Sequence, residues 1–294
     1  MRRRFATLDV FTNRRFAGNP LAVVLDPEGL DTAAMQTIAR EFGHPETVFV
    51  FPPQDRAHRA RVRIFTPARE LPFAGHPTVG TAVLLGLRDG AAVGGDIVLE
   101  EGIGPVRCTL ETSGNGQGSA RFALAQLPCE VGAAPDNATI AAALGIAPAE
   151  IGFGDFRPSR WSAGNPFTFV PIAGLAAMAR CSPDLPGFGA AFGTGGAYLF
   201  CRETAEPGHA FHARMFGQAL GIREDPATGS AAAAFVGVLG QHVGEGAHAL
   251  TIEQGYEMGR PSLIRLAMTM QAGKLVSATI AGDAVIVTEG TIEA

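Results

Sequence analysis

Apolar positions along this chain fall into two long uninterrupted runs and many short alternating ones. From Ala231 to Leu239 no side chain is charged or polar, and residues 72–86 lead through glycine, proline and threonine into a similar apolar stretch. A helix that is apolar on every side must be wrapped by its own domain, because a surface helix shows a polar face. The 231–239 run is too short to cross a bilayer. Both stretches therefore predict buried central helices. Alternation predicts strands at 5–12, 21–25, 47–51, 61–66, 97–99, 106–110 and 120–127, and again at 198–202 and 212–216. Four more, near 249–253, 263–270, 275–280 and 284–288, finish the chain. Met35, Ile38, Ala39 and Phe42 share one helical face, with Asp31 or Thr32 as cap and Gly43 as stop. Asp136 or Asn137 caps a further helix. Helices and many strands in this mixture predict an α+β fold.

The pattern is written twice. Ala17-Gly-Asn-Pro20 returns as Ala163-Gly-Asn-Pro166, Arg63-Ile-Phe65 as Arg214-Met-Phe216, and Leu99-Glu-Glu-Gly102 as Ile252-Glu-Gln-Gly255. The offsets grow slowly, from 146 to 151 to 153, as expected of a duplicated unit with small insertions. A length of 294 residues agrees with two domains, and the glycine-rich segment 113–119 reads as the linker between them.

Composition narrows the function. With 47% hydrophobic and 17% charged residues the chain can bury a sizeable core. A net charge of -5 argues against nucleic acid as a partner. Arg2, Arg3 and Arg4 precede no apolar h-region, so no signal peptide is expected; the reading is cytoplasmic, with no membrane partner. Cys108, Cys129, Cys181 and Cys201 lack C-x-x-C spacing and read as reduced thiols. Lys274 is the sole lysine and falls in a C-terminal strand, a poor place for a pyridoxal Schiff base. No Walker loop or complete G-x-G-x-x-G occurs. No cofactor is expected. His209 and His212 would point to opposite faces of a strand, and no metal motif exists, so no metal site is expected either.

Candidate chemistry gathers at the starts of the central helices, where the first N–H groups lack intrahelical partners and the helix dipole favours an anion. Thr228, Gly229 and Ser230 occupy one such start, with Asp225 just before it. His76 lies in a glycine-flanked turn at the other. These residues read equally as ordinary caps and structural hydrogen-bonders. Glu46 opens an apolar strand and has no acidic counterpart in the second half, where Ala197 stands; it is either a general acid/base with a pKa raised by desolvation or a solvated turn residue. A Ser230–His76–Asp225 triad can be assembled on paper, but no G-x-S-x-G elbow supports it.

Asp9-Val-Phe-Thr, Phe16-Ala-Gly-Asn-Pro-Leu-Ala-Val-Val24, Glu46-Thr-Val-Phe-Val50, Arg63-Ile-Phe-Thr-Pro, Glu70-Leu-Pro-Phe-Ala-Gly-His-Pro-Thr-Val-Gly80, Gly164-Asn-Pro166 and Glu224-Asp-Pro-Ala-Thr-Gly-Ser-Ala231 together resemble the phenazine biosynthesis PhzF-like isomerases, relatives in fold of diaminopimelate epimerase. The resemblance implies two pseudo-symmetric domains, each a curled mixed sheet around a central helix, with the active site in the cleft between them. It also implies a homodimer and catalysis without cofactor. The C-terminal strands are expected to return to the first domain, giving 1–118 plus 272–294 and 119–271. By the same resemblance Glu46 is the catalytic acid/base, while Gly75, His76, Asp225, Gly229 and Ser230 contact a small anionic metabolite. Diaminopimelate epimerase places two cysteines at the helix starts; none stands there in this chain, which leaves a single carboxyl to move the proton. The alternatives are a non-catalytic binding or scaffold protein of the same fold and a hydrolase using Ser230.

Overall fold

Each apolar run becomes a helix enclosed by strands. The computed structural model describes residues 1–90, 95–193, 195–218 and 222–294. The chain divides into two units, Met1–Ala123 with Ala281–Ala294, and Leu124–Ile280.

In the first unit, β1 (Arg2–Val10) pairs antiparallel with β2 (Asn19–Val24), which runs parallel to β3 (Glu46–Phe51). β4 (Ala60–Phe65) is antiparallel to β3, carries the short β5 (Glu70–Leu71), and runs parallel to β6 (Gly95–Glu101). Hairpins continue to β7 (Gly104–Gly114) and β8 (Gln117–Ala123). The last strand of the chain, β17 (Lys274–Glu293), pairs with both β8 and β1 and so closes the sheet on itself. Inside lies α2 (Gly75–Arg88), in contact with β1, β2, β3, β6, β7 and β8 and buried continuously from Gly75 to Gly86. Helix α1 (Thr32–Phe42) covers the outer face, placing Met35 and Ala39 on Val24, Phe49 and Phe65. Asp31 caps it by accepting from the Ala34 N–H, and Gly43 ends it at φ 64°.

The second unit orders its strands as β9 (Cys129–Glu130), β10 (Ser159–Ser162), β11 (Pro166–Pro171), β12 (Ala197–Cys201), β13 (Phe211–Gly217), β15 (Gly246–Gln254) and β16 (Ser262–Gln271), with β14 (Ile222–Asp225) on β13. As in the first unit, two pairs are parallel, β11 with β12 and β13 with β15. Helix α6 (Gly229–Gly240) packs on β9, β10, β11 and β16. Helices α3 (Asn137–Leu144), α4 (Leu175–Met178) and α5 (Phe188–Phe192) form a second layer around Leu144, Met178, Phe188 and Phe216. The architecture is α+β, and no helix among the described residues is long and apolar enough to cross a membrane.

Duplication extends to side-chain bonds. Glu100 accepts from the backbone N–H of Gln54 and Asp55 and meets His58 at 2.9 Å; Glu253 accepts from Ala205 and Glu206 and meets His209 at 2.6 Å. Arg63 forks onto Glu70, and Arg214 onto Glu224.

Two segments differ from the sequence reading. The 113–119 stretch is a hairpin turn, not a linker: Asn115 (φ 53°) and Gly116 (φ 71°) take the paired left-handed conformation that a tight hairpin needs. The unit boundary therefore falls after Ala123 rather than 118. The last two expected strands are one, β17, and the second boundary lies at 280/281 rather than 271/272. Gly282 lets this strand continue under the Phe11 ring, because a Cβ there would sit 2.2 Å from a ring carbon.

Candidate active site

Glu46 is the first residue of β3, level with Leu21 of β2, and only 9% exposed. The start of α2 lies beside it. Its N-cap is Ala74, which has no side chain able to bond the helix, and Pro77 in the first turn has no N–H to satisfy. The N–H groups of Gly75 and His76 are therefore the ones that this helix start can offer to an anion. The His76 imidazole is 4% exposed, and its Nε2 lies 3.2 Å from Glu46 Oε2 without hydrogen-bond alignment. Burial pushes His76 down to about 3, and the nearby His44 acts in the same direction. The imidazole is neutral, so this is a close contact of a neutral ring with a carboxyl and not an ion pair.

Behind this turn stand two residues that sequence reasoning passed over. Thr78 Oγ1 lies 2.8 Å from the Ala74 carbonyl and 2.7 Å from Glu101 Oε1. Glu101 is 8% exposed, and burial pushes its carboxyl up to about 8, with the Thr78 contact opposing. The available signal was the pairing of Leu99-Glu-Glu-Gly102 with Ile252-Glu-Gln-Gly255.

The second unit builds a helix start of the same design. Neither Asp225 nor Ser230 caps α6. The N-cap is Thr228; its hydroxyl donates to Asp225 Oδ2 at 2.6 Å and accepts from no helix N–H. Gln254 clamps this residue, its amide donating to the Asp225 carbonyl (2.7 Å) and to Thr228 Oγ1 (3.0 Å), its oxygen accepting from the Thr228 N–H (3.3 Å). Gly229 and Ser230 follow at the first two helical positions, the serine half-buried.

His209 and His212 do not diverge as alternation suggested. His209 precedes β13, so strand geometry does not govern it, and both rings reach Glu253, at 2.6 and 2.7 Å. Burial opposes charge on His212, but Glu253 and Glu257 (3.0 Å) more than offset it and raise the ring to about 9. Among the described residues no group of three or more His, Cys, Asp or Glu side chains is arranged to hold a metal ion.

The family model of the phenazine biosynthesis-like proteins matches residues 8–290. An uncharacterized isomerase of Mesorhizobium japonicum is 50% identical, over 99% of this chain and 98% of that protein. A trans-2,3-dihydro-3-hydroxyanthranilate isomerase of Pseudomonas chlororaphis is 33% identical over 98% of both chains. The crystal structure of a Bacillus anthracis phenazine biosynthesis protein of the PhzF family superposes with a TM-score of 0.89 at 26% identity, covering 100% of each chain.

Proposed function

The chain belongs to the phenazine biosynthesis-like family and is an isomerase, and we propose that it moves a hydrogen within a small, unsaturated, carboxylate-bearing metabolite by acid/base chemistry at Glu46, without a cofactor. The observation that carries this reading is the buried Glu46 carboxyl, 3.2 Å from a neutral His76 on an N-terminal turn without a side-chain cap.

The chemistry follows from those groups. A carboxylate removes a proton from carbon only when the electron pair left behind is delocalised, so the reacting carbon must adjoin a conjugated system. Charge then develops on that system and on its carboxylate. The Gly75 and His76 N–H groups, with the positive end of α2, suit such an anion better than they suit neutral substrate. The neutral His76 ring donates or accepts a hydrogen bond without adding a charge that would trap Glu46 as a salt. Glu46, having gained the proton, returns it at another carbon of the same system. Atoms and charge balance, and no oxidant or metal is called for. Asp225, Gly229 and Ser230 are assigned to substrate contact on the family resemblance.

The compound turned over by the 33%-identical relative, trans-2,3-dihydro-3-hydroxyanthranilate, has the required carboxylate and conjugated ring. It is the first candidate to incubate with the protein in deuterium oxide. Deuterium entering a ring carbon with wild type, and a rate lower by roughly 10²–10⁴ with Glu46→Gln, is the expected result. A Glu46→Gln protein that isomerises as fast as wild type removes Glu46 from the chemistry. A wild type that isomerises with no solvent label would instead require a proton shielded from exchange throughout.

A further inference from the structure

Both central helices are tied at their starts to the end of a packed strand, but by different side chains. In the second unit the tie is the Gln254 amide at the end of β15, bonded to Asp225 and Thr228. In the first unit the repeat puts Glu101, the last residue of β6, at the same step. The preceding residues, Glu100 and Glu253, make matching bonds to two backbone N–H groups and a histidine, so the correspondence is structural. Alternation along β6 turns Leu99 and Glu101 inward, and both are buried.

Glu101 Oε1 is 2.7 Å from Thr78 Oγ1, which is 2.8 Å from the Ala74 carbonyl. A hydroxyl has one proton. Two full hydrogen bonds form at once when the carboxyl itself carries a hydrogen and donates it to Thr78, which then donates to Ala74; an ionised carboxylate would leave the single Thr78 proton shared between two acceptors. Glu101 Oε2 is buried with no partner, a costly state for half of an ionised carboxylate. Nor, among the described residues, does a cation act on it. The adjoining cavity of about 460 Å³ is lined by Arg61 and Arg63 from β4, Glu70 from β5, and Glu100 beside Glu101. Arg63 is taken by Glu70, and Glu100 is taken by His58 and two backbone N–H groups. Arg61 lies over the Phe51 ring. On β7, burial and then Glu101 and Asp96 push the Cys108 thiol up to about 12, which leaves it neutral. The titratable residue in the first turn of α2 is the neutral His76.

We propose that Glu101 is kept as a neutral carboxylic acid, standing where the other unit has an amide, and that it is a positioning residue. Through Thr78 it fixes the Ala74 carbonyl and hence the aim of the Gly75 and His76 N–H groups. Its importance for turnover rests on the reading above that this turn holds the substrate anion. Burial places the carboxyl near 8, so it is protonated at neutral pH. Ionisation draws the Thr78 proton toward Glu101 and away from Ala74, and the turn loses its anchor.

The test needs no substrate. Glu101→Gln stays neutral at every pH and can donate an amide hydrogen to Thr78. In ¹⁵N-labelled wild type the Gly75 and His76 amide resonances should shift together with a midpoint near 8, while one carboxylic-acid C=O band disappears from the infrared spectrum. In Glu101→Gln that band should be missing and the two amides should not move in this range. Absence of the band from wild type at about pH 6, or unchanged titration of the amides in Glu101→Gln, overturns the proposal. If the variant does not fold, wild type alone decides: a band that disappears while both amides stay still refutes positioning. In the deuterium assay, wild type should lose rate across the same midpoint and Glu101→Gln should not. Failure of the assay at every pH would count against the proposed reaction and leave the spectroscopic result standing.

Discussion

His76 shows how burial decides what a residue can do. Beside a carboxyl, an exposed histidine would gain a proton; at 4% exposure the cost of desolvating the imidazolium wins. The sign for stability follows. The folded value, about 3, lies below the unfolded value near 6.5, so the contribution is complete above pH 6.5 and is lost as pH falls toward 3. Over that window stability should drop by on the order of 1 kcal/mol per pH unit. Denaturant titrations at stepped pH should find this acid slope in wild type and a shallower one in His76→Asn; equal slopes would mean that His76 is already charged when folded. Glu46 and His76 were legible because they sit inside long motifs. Glu101 was not, since a glutamate ending a strand before a glycine turn ordinarily faces water, and only the approach of α2 puts it in the dark.

At the scale of elements, the central helices depend on close approach. Gly80 of α2 lies where a Cβ would meet Leu21 Cδ2 at 2.6 Å and Val10 Cγ2 at 2.7 Å. Gly237 of α6 likewise leaves room for the Trp161 ring, at 2.3 Å. Propensity alone would make Gly80→Ala stabilising by about 1 kcal/mol. Overpacking should win, for a net loss of roughly 1–3 kcal/mol in urea unfolding. An unchanged or raised midpoint would show that the strands can move aside. Both helices could be read from their apolar runs, because nothing but burial tolerates such a sequence. The Asn115-Gly116 turn is not legible in the sequence for the opposite reason: glycine-rich composition suits a linker and a tight hairpin alike, and the pairing of the flanking strands decides between them. Strand alternation does not place His209 relative to His212, because His209 lies two residues before the strand begins.

For the whole molecule the duplication explains what is shared and so isolates what is not. The two units have the same mixed strand order, the same Arg–Glu fork and the same glutamate–histidine clasp, all of which hold scaffold. Glu46, with Ala197 opposite it in the repeat, and His212 with Glu257 are departures from the common plan. His212 titrates near 9 in the folded chain against about 6.5 unfolded, so its contribution is full below pH 6.5 and is lost as pH rises toward 9. Thermal unfolding of wild type should fall across that alkaline window, and His212→Asn should flatten the fall; parallel curves would contradict the assignment.

The central claim is that one carboxyl, Glu46, carries the hydrogen, and solvent isotope incorporation during turnover tests it most directly. Wild type and Glu46→Gln are run side by side in deuterium oxide on the same unsaturated carboxylate, and the rate at which label enters carbon is measured at equal enzyme concentration. The account predicts label in the wild-type product and almost none formed by Glu46→Gln. Label entering at the same rate in both proteins would contradict it.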